Sequence, residues 1–258
     1  MNISAGVESG LQEEQRAVTG RLVIYEEAES TQDLAKSMAL SGEPEGTAVM
    51  ALDQTRGRGR VGRSWVTPRG KNVALSVILR PRLSPRDAVL LGLLASVAVA
   101  EAIEEMGVPE AQLKWPNDVL VYDRKVAGIL SEGIVSGSRM DFLIVGIGLN
   151  VNSTESDFPS DLRTPATSLL MCTGREWDLP EVARSILKHF AVLYDRVKSE
   201  GCGIVPPLWE RRWRDRGKQL AHEGMVGIGK GLDADGALVL EQSNGSVVRI
   251  NCGDVLPA

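Results

Sequence analysis

Gln54-Thr55-Arg56-Gly57-Arg58-Gly59-Arg60-Val61-Gly62-Arg63-Ser64-Trp65 is the stretch on which the fold reading turns. Residues 57–62 match the spacing GxGxxG, which in a dinucleotide-binding fold follows a strand and opens a helix at its third glycine. A strand candidate, residues 47–52, does precede it. Gly62, however, leads through Arg63-Ser64-Trp65 to Pro68 and Gly70, which do not propagate a helix. The Rossmann reading fails on context. What remains is a loop in which arginine supplies planar forks of donors matched to phosphate and carboxylate. Its alternating glycines let backbone approach a ligand and let the loop open and shut.

Outward from the loop, the pattern alternates between strands and helices. Upstream lie a strand at residues 22–25 and a helix at 31–41, opened by Ser30-Thr31 and closed by Gly42. Downstream comes a strand at 73–79. Ser84-Pro85-Arg86-Asp87 then opens a helix with a capping residue, a proline in the first turn and an acid. That helix is apolar nearly all round to Ala100 and ends at Gly107, so it belongs between layers. Three strands follow, around 113–115, 125–132 and 143–150, with Pro116-Asn117-Asp118 and Asp123-Arg124 as turns between the first two. An amphipathic helix covers 181–199. After Gly217, short runs (225–228, 237–241, 247–250) are separated by Asp235-Gly236 and Asn244-Gly245, strong hairpin signals. The expected fold is α+β, a mixed sheet packed with helices plus a small β module. The divisions are an arm at 1–20 (a short helix or loose arm), a body at 21–216 and the module at 217–258.

Composition sets limits on function. The chain has 258 residues, 43% apolar and 24% charged, near the soluble globular average and unlike collagen, coiled coil or a disordered chain. Its formal net charge is −5, yet residues 54–71 carry +6 from five arginines and one lysine, leaving −11 on the rest. That split suits local capture of an anion better than coating by nucleic acid. A nucleic-acid module stacking bases on Trp65 is the alternative from another class. Cys172, Cys202 and Cys252 form no CxxC and are odd in number, which points to a reducing, cytoplasmic compartment. Two histidines, His189 and His222, argue against His-rich zinc sites. No signal peptide is evident. The longest apolar run, residues 88–100, is 13 long, short of the roughly 18 needed for a span, so no membrane partner is expected.

Other segments invite chemistry and allow a plainer reading. Gly224 to Gly231 has P-loop spacing, but glycine stands where the Mg²⁺-binding hydroxyl belongs and the texture is β-turn. Lys114-Trp115-Pro116-Asn117-Asp118 reads alone as a strand end and turn. Residues 125–132 (KVAGILSE) place a lysine near a strand glycine, and 146–152 (GIGLNVN) place two glycines before asparagines; close backbone packing accounts for both as well as a ligand does.

In order, though, STQDLAK (30–36), RGRGRVGRSW (56–65), KWPNDV (114–119), KVAGILSE (125–132) and GIGLNVN (146–152) resemble the biotin protein ligases, over roughly residues 22–258. The resemblance implies a class II synthetase-like biotinyl/lipoyl ligase catalytic domain with an SH3-like β-barrel at the C-terminus. It implies biotin contacts at Ser30, Thr31, Gln32, Gln54, Arg58, Gly59, Arg60, Lys125, Gly128 and Ile129. Arg58, Arg60 and Lys125 are the catalytic candidates. Trp65, Lys114, Asn117 and Asn150 belong to the nucleotide side and Asp118 to a metal. Gln32 departs from the family's usual Asn, and Arg56 from a small residue. The substrates implied are biotin and ATP with Mg²⁺, and the partner is the biotin carboxyl carrier domain of acetyl-CoA carboxylase. No DNA is expected, since only about 20 residues precede the body, too few for the winged helix of the repressor forms. Either a monomer or a homodimer fits. The nearest rival is a lipoate or octanoate ligase of the related fold.

Overall fold

The computed structural model describes residues 15–17, 20–137 and 139–258. Among these, the larger sheet holds β1 (Gln15–Ala17), β2 (Gly20–Ala28), β3 (Ala48–Gln54), β4 (Asn72–Leu79), β5 (Gln112–Lys114), β6 (Asp118–Val121), β7 (Arg124–Ser136) and β8 (Arg139–Asn150). Their spatial order is β1-β2-β3-β4-β8-β7-β6-β5. Only β2 and β3 run parallel. A parallel pair needs a crossover, which α1 (Thr31–Leu40) provides.

Period-two alternation gives this sheet two unlike faces. Met50, Val73, Leu75, Val77, Leu79, Leu143, Val145, Ile147 and Leu149 point to the main core. The α2 (Pro85–Ala88) and α3 (Leu90–Glu105) helices follow, with α3 buried against the sheet and the later helices. Ser84 caps the start, its hydroxyl accepting from Asp87 N at 3.2 Å. The helix expected from Ser84 onward is split at Val89, which keeps helical angles (φ −58°, ψ −34°) but takes a 3₁₀-type bond from Gly92. The core is completed by α4 (Leu169–Thr173), α5 (Leu179–Glu200) and α6 (Val205–Glu210), with Phe190 and Trp209 fully buried. On the sheet's other face, Val49, Ile78, Phe142 and Ile144 lie under Ala35 and Ala39 of α1. Further along the same strands that face becomes Ser76, Asn72, Gly146, Gly148 and Asn150.

Four short strands were not expected: β1, β6 and two in the C-terminal sheet. The β6 strand is four residues framed by turn chemistry on both sides, and Val119, Leu120 and Val121 are all buried, so no alternation marks it. Its hairpin to β7 turns at Tyr122-Asp123, both at positive φ (50° and 60°) without a glycine. The C-terminal sheet consists of β9 (Gln219–His222), β10 (Met225–Leu232), β11 (Leu238–Glu241), β12 (Val247–Ile250) and β13 (Leu256–Pro257), ordered β12-β11-β10-β9-β13. The two expected hairpins are there, with Gly236 and Gly245 each at φ +82°. The strands β9 and β13 were missed, one being joined through Glu223-Gly224 and the other two residues long. Of the arm placed at 1–20, residues 1–14, 18 and 19 lie outside the described residues. Gln15–Ala17 form a strand rather than a helix.

The two sheets are joined by Trp115, whose indole donates to Gly236 O at 3.1 Å, and by Asp235. Its carboxylate lies 2.7 Å from both Arg86 Nε and Arg249 Nη2. Burial would raise the Asp235 carboxyl, but these hydrogen-bonded guanidiniums hold it at about 2. A carboxylate lowered on folding contributes fully above its ordinary value of 3.8, and the contribution fades as pH falls toward 2. Asp235→Asn is therefore expected to lower the urea midpoint at pH 7, with the gap to the parent protein closing by pH 2. A gap that stays constant from pH 7 to 2 contradicts the assignment.

Candidate active site

The polar end of the sheet's second face is the floor of a cavity of about 740 Å³, within the range of ligand sites. Every site residue named from the resemblance lines it. Its walls are the start of α1, the arginine loop, the Lys114–Asp118 turn, the segment 158–166 and the C-terminal residues 254–257.

At the α1 end the polar side chains hold one another. Gln54 Oε1 accepts from Thr31 N at 2.9 Å and from Thr31 Oγ1 at 3.0 Å. Ser76 Oγ lies 3.0 Å from Thr31 Oγ1 and 3.2 Å from Gln32 Oε1. The Gln32 amide donates to Ile144 O (3.3 Å) and Leu130 O (3.4 Å). This longer amide lies over Gly146, where a Cβ would come within 2.4 Å of its oxygen. The Ser30 hydroxyl is buried with no hydrogen-bond partner, which leaves it free for a polar ligand group.

The Trp65 indole rests on the glycines of the floor. A Cβ on Gly148 would stand 2.4 Å from Trp65 Cε2, and one on Gly128 3.1 Å from Cζ3. Its Nε1 is buried and unpartnered. Lys125 Nζ lies 5.4 Å from the Trp65 ring centroid and 2.5 Å from Asp118 Oδ1. Asn117 is locked to β7 through Ile129, donating from Nδ2 to Ile129 O at 3.0 Å. Asn150 uses its amide on protein: Nδ2 donates to Thr167 O at 3.0 Å, and Oδ1 accepts from Asn72 at 3.4 Å. Asn150 thereby shapes the wall beside Lys125, and Lys114 stands opposite Asp118 in the β5–β6 pairing.

The loop's arginines are tied down at four places, the first being Arg56 to Glu29 at 3.1 Å. Arg58 makes a two-pronged contact with Glu132 (3.2 and 2.6 Å) and reaches Asp33 at 2.9 Å. Arg60 donates to Asn117 Oδ1 at 3.2 Å. Burial pulls the Arg60 guanidinium below its ordinary value, while nearby Asp254 and Asp118 act the other way. Arg63 meets Asp254 at 2.8 and 2.7 Å. Sequence reasoning had not assigned Asp33, Glu132, Ser76 or Asp254. Asp33 and Glu132 lay inside quoted motifs, whereas Asp254 is 191 residues from its partner and carried no signal.

Known proteins resemble this chain in sequence and in fold. Residues 25–150 match the biotin/lipoate A/B protein ligase family and residues 220–256 the biotin protein ligase C-terminal domain. The bifunctional ligase/repressor BirA of Bacillus subtilis is 37% identical over 243 residues, 92% of this chain and 74% of that protein. The chain belongs to the biotin protein ligase family. A biotin–[acetyl-CoA-carboxylase] ligase of Paracoccus denitrificans is 34% identical, covering 83% of this chain and 92% of its own length. The biotin protein ligase of Aquifex aeolicus in complex with biotin and ATP superposes with a TM-score of 0.76 at 32% identity, covering 92% of this chain and 99% of that one.

The loop also carries local backbone strain. Val61, at the loop's 3₁₀ turn, is 80% exposed and sits in the left-handed region (φ 53°, ψ 45°). For a β-branched residue this costs roughly 1–2 kcal/mol. Val61→Asn, better suited to that conformation, is expected to slow trypsin cleavage between Arg58 and Arg63 by about fivefold. Equal or faster cleavage contradicts the strain.

Proposed function

We propose that this chain is an ATP-dependent biotin protein ligase that charges the carrier domain of acetyl-CoA carboxylase. The observation that carries the reading is a single cavity whose glycine floor and three cations, Arg58, Arg60 and Lys125, face one volume large enough for a vitamin and a nucleotide. In the first half-reaction a biotin carboxylate oxygen attacks the α-phosphorus of ATP. The bond to pyrophosphate breaks, and biotinyl-5′-adenylate forms. In the second, the amine of an acceptor lysine attacks the acyl carbon, the bond to AMP breaks with its electron pair on AMP, and the amine proton passes to solvent. Neither step needs an enzyme nucleophile. The work is positioning and charge stabilisation.

The residues divide that work. Lys125, held by Asp118, offers its ammonium to the biotin carboxylate and to charge developing at phosphorus. Arg58 and Arg60 bring two anions together and close over them. Ser30, Thr31, Gln32, Gln54, Gly59, Gly128 and Ile129 form the biotin side. Trp65, Lys114, Asn117 and Asn150 border the nucleotide side. Magnesium usually binds ATP enzymes through one or two carboxylates together with the substrate's phosphates. Asp118 fits that pattern as a single hard-oxygen donor. Among the described residues no group of three His, Cys, Asp or Glu gathers as a resident cage. Bound with ATP, the ion supplies phosphate charge neutralisation. Residues 21–216 form the biotin- and ATP-binding unit and 217–258 the C-terminal unit. The three cysteines are free, and no helix among the described residues is long and apolar enough to cross a membrane, in keeping with a cytoplasmic enzyme.

Mass spectrometry of the protein with Mg·ATP and biotin, lipoate or octanoate in parallel tests the reading. Biotinyl-adenylate alone is expected; lipoyl- or octanoyl-adenylate, or no adenylate, overturns it. Lys125→Ala is expected to slow adenylate formation a hundredfold or more at saturating biotin, the scale of roughly 2.7–4 kcal/mol for losing one transition-state donor. Unchanged turnover removes Lys125 from the mechanism.

A further inference from the structure

We propose that Asp254, carried by the turn between β12 and β13, is a positioning residue that holds the arginine loop over the cavity and keeps the acyl-adenylate from water. The inference rests on the ligase reading above and concerns how the same site retains its intermediate.

Three separate parts of the chain meet on this carboxylate. Arg63, at the exit of the loop, donates to both oxygens at 2.8 and 2.7 Å. Arg163, on the wall segment, reaches Oδ2 at 3.2 Å. The carboxylate itself stands on the connection between two strands of the C-terminal sheet. It is also held from behind. Gly253 has φ +100°, and the His222 ring fills the place where a Cβ would stand, 2.5 Å from Cε1. His222 Nδ1 lies 3.0 Å from the Asp254 carbonyl oxygen, and Val255 beside it is buried. Burial would raise the Asp254 carboxyl, but the Arg63 hydrogen bond and the charges of Arg63, Arg163 and Arg60 hold it below its usual range.

The loop needs this anchor. Its turn is strained at Val61, and its other ties run from Arg56 to Glu29 at the entrance, from Arg58 to α1 and β7 and from Arg60 to the Asn117 turn. Asp254 is the tie at the loop's exit. When it is cut, the loop opens more often and water reaches the intermediate. A water oxygen then bonds to the acyl carbon, the bond from that carbon to the phosphate oxygen breaks with its electron pair on AMP, and a proton passes to solvent. The products are free biotin and AMP.

The test uses the full chain with Mg·ATP, biotin and an acetyl-CoA carboxylase carrier domain, and reads AMP released per biotin transferred. Asp254→Asn is expected to raise that ratio about fivefold, the scale of a two-pronged exposed ion pair, while the pyrophosphate burst stays within about twofold of the parent's. Asp254→Glu is expected to recover most of the coupling, which a merely structural role does not predict. Arg63→Gln cuts the same tie from the loop side without touching the C-terminal sheet, and is expected to raise the ratio alike even where Asp254→Asn folds poorly. Unchanged coupling in Asp254→Asn, or in Arg63→Gln, with an active parent overturns the inference. A parent that forms no biotinyl-adenylate overturns instead the ligase reading beneath it.

Discussion

The Trp65 indole lies against β7 and β8 because Gly128 and Gly148 place no side chain between ring and backbone. Any Cβ on Gly148 would stand inside the ring's van der Waals surface. Around this contact the rest of the site is arranged: Lys125 stands beside the indole, Asp118 beside Lys125, and Gln32 crosses the neighbouring Gly146. The strand alternation that fills one face of β8 with Leu143, Val145, Ile147 and Leu149 puts Gly146 and Gly148 on the other face, beneath Gln32 and Trp65. A buried core on one side and an open floor on the other come from the same period of two.

The floor is neutral and the roof is cationic. A loop carrying so many arginines repels itself, and the fold offsets this with carboxylates from distant places: Asp33 from α1, Glu132 from β7 and Asp254 from the C-terminal sheet. Each such pair is exposed enough to be broken by a competing anion. The arginines are thus held by contacts that solvent and other ions can reach. The small C-terminal sheet has a place in this arrangement, since it presents Asp254 and lines the cavity with residues 254–257.

Much of this was legible in the sequence, because its signals are local. Glycine and arginine alternation marked the loop, Ser84-Pro85 a helix start, and Asp235-Gly236 and Asn244-Gly245 the hairpins. Motif order then led to the family and to residues that line one cavity. What escaped was short or distant. Strand β6 is four residues whose two faces are both buried, so it has no alternation to read. The turn marked by Asp123-Arg124 begins one residue earlier, at Tyr122, whose positive φ no glycine signals. The Asp254 tie joins segments 191 residues apart, which no window of sequence contains. Asn150 lines the cavity as expected from its motif, while the engagement of its amide by Asn72 and Thr167 is legible only in the fold.

Calorimetric titration of biotin into Gly148→Ala probes the glycine floor under Trp65. The added methyl displaces the indole into the cavity while leaving the core face of β8 untouched. Biotin affinity is expected to fall by about a hundredfold, the scale of one badly filled core contact of roughly 3 kcal/mol, with the circular dichroism spectrum unchanged. Parent-like affinity in a folded Gly148→Ala protein would contradict the account.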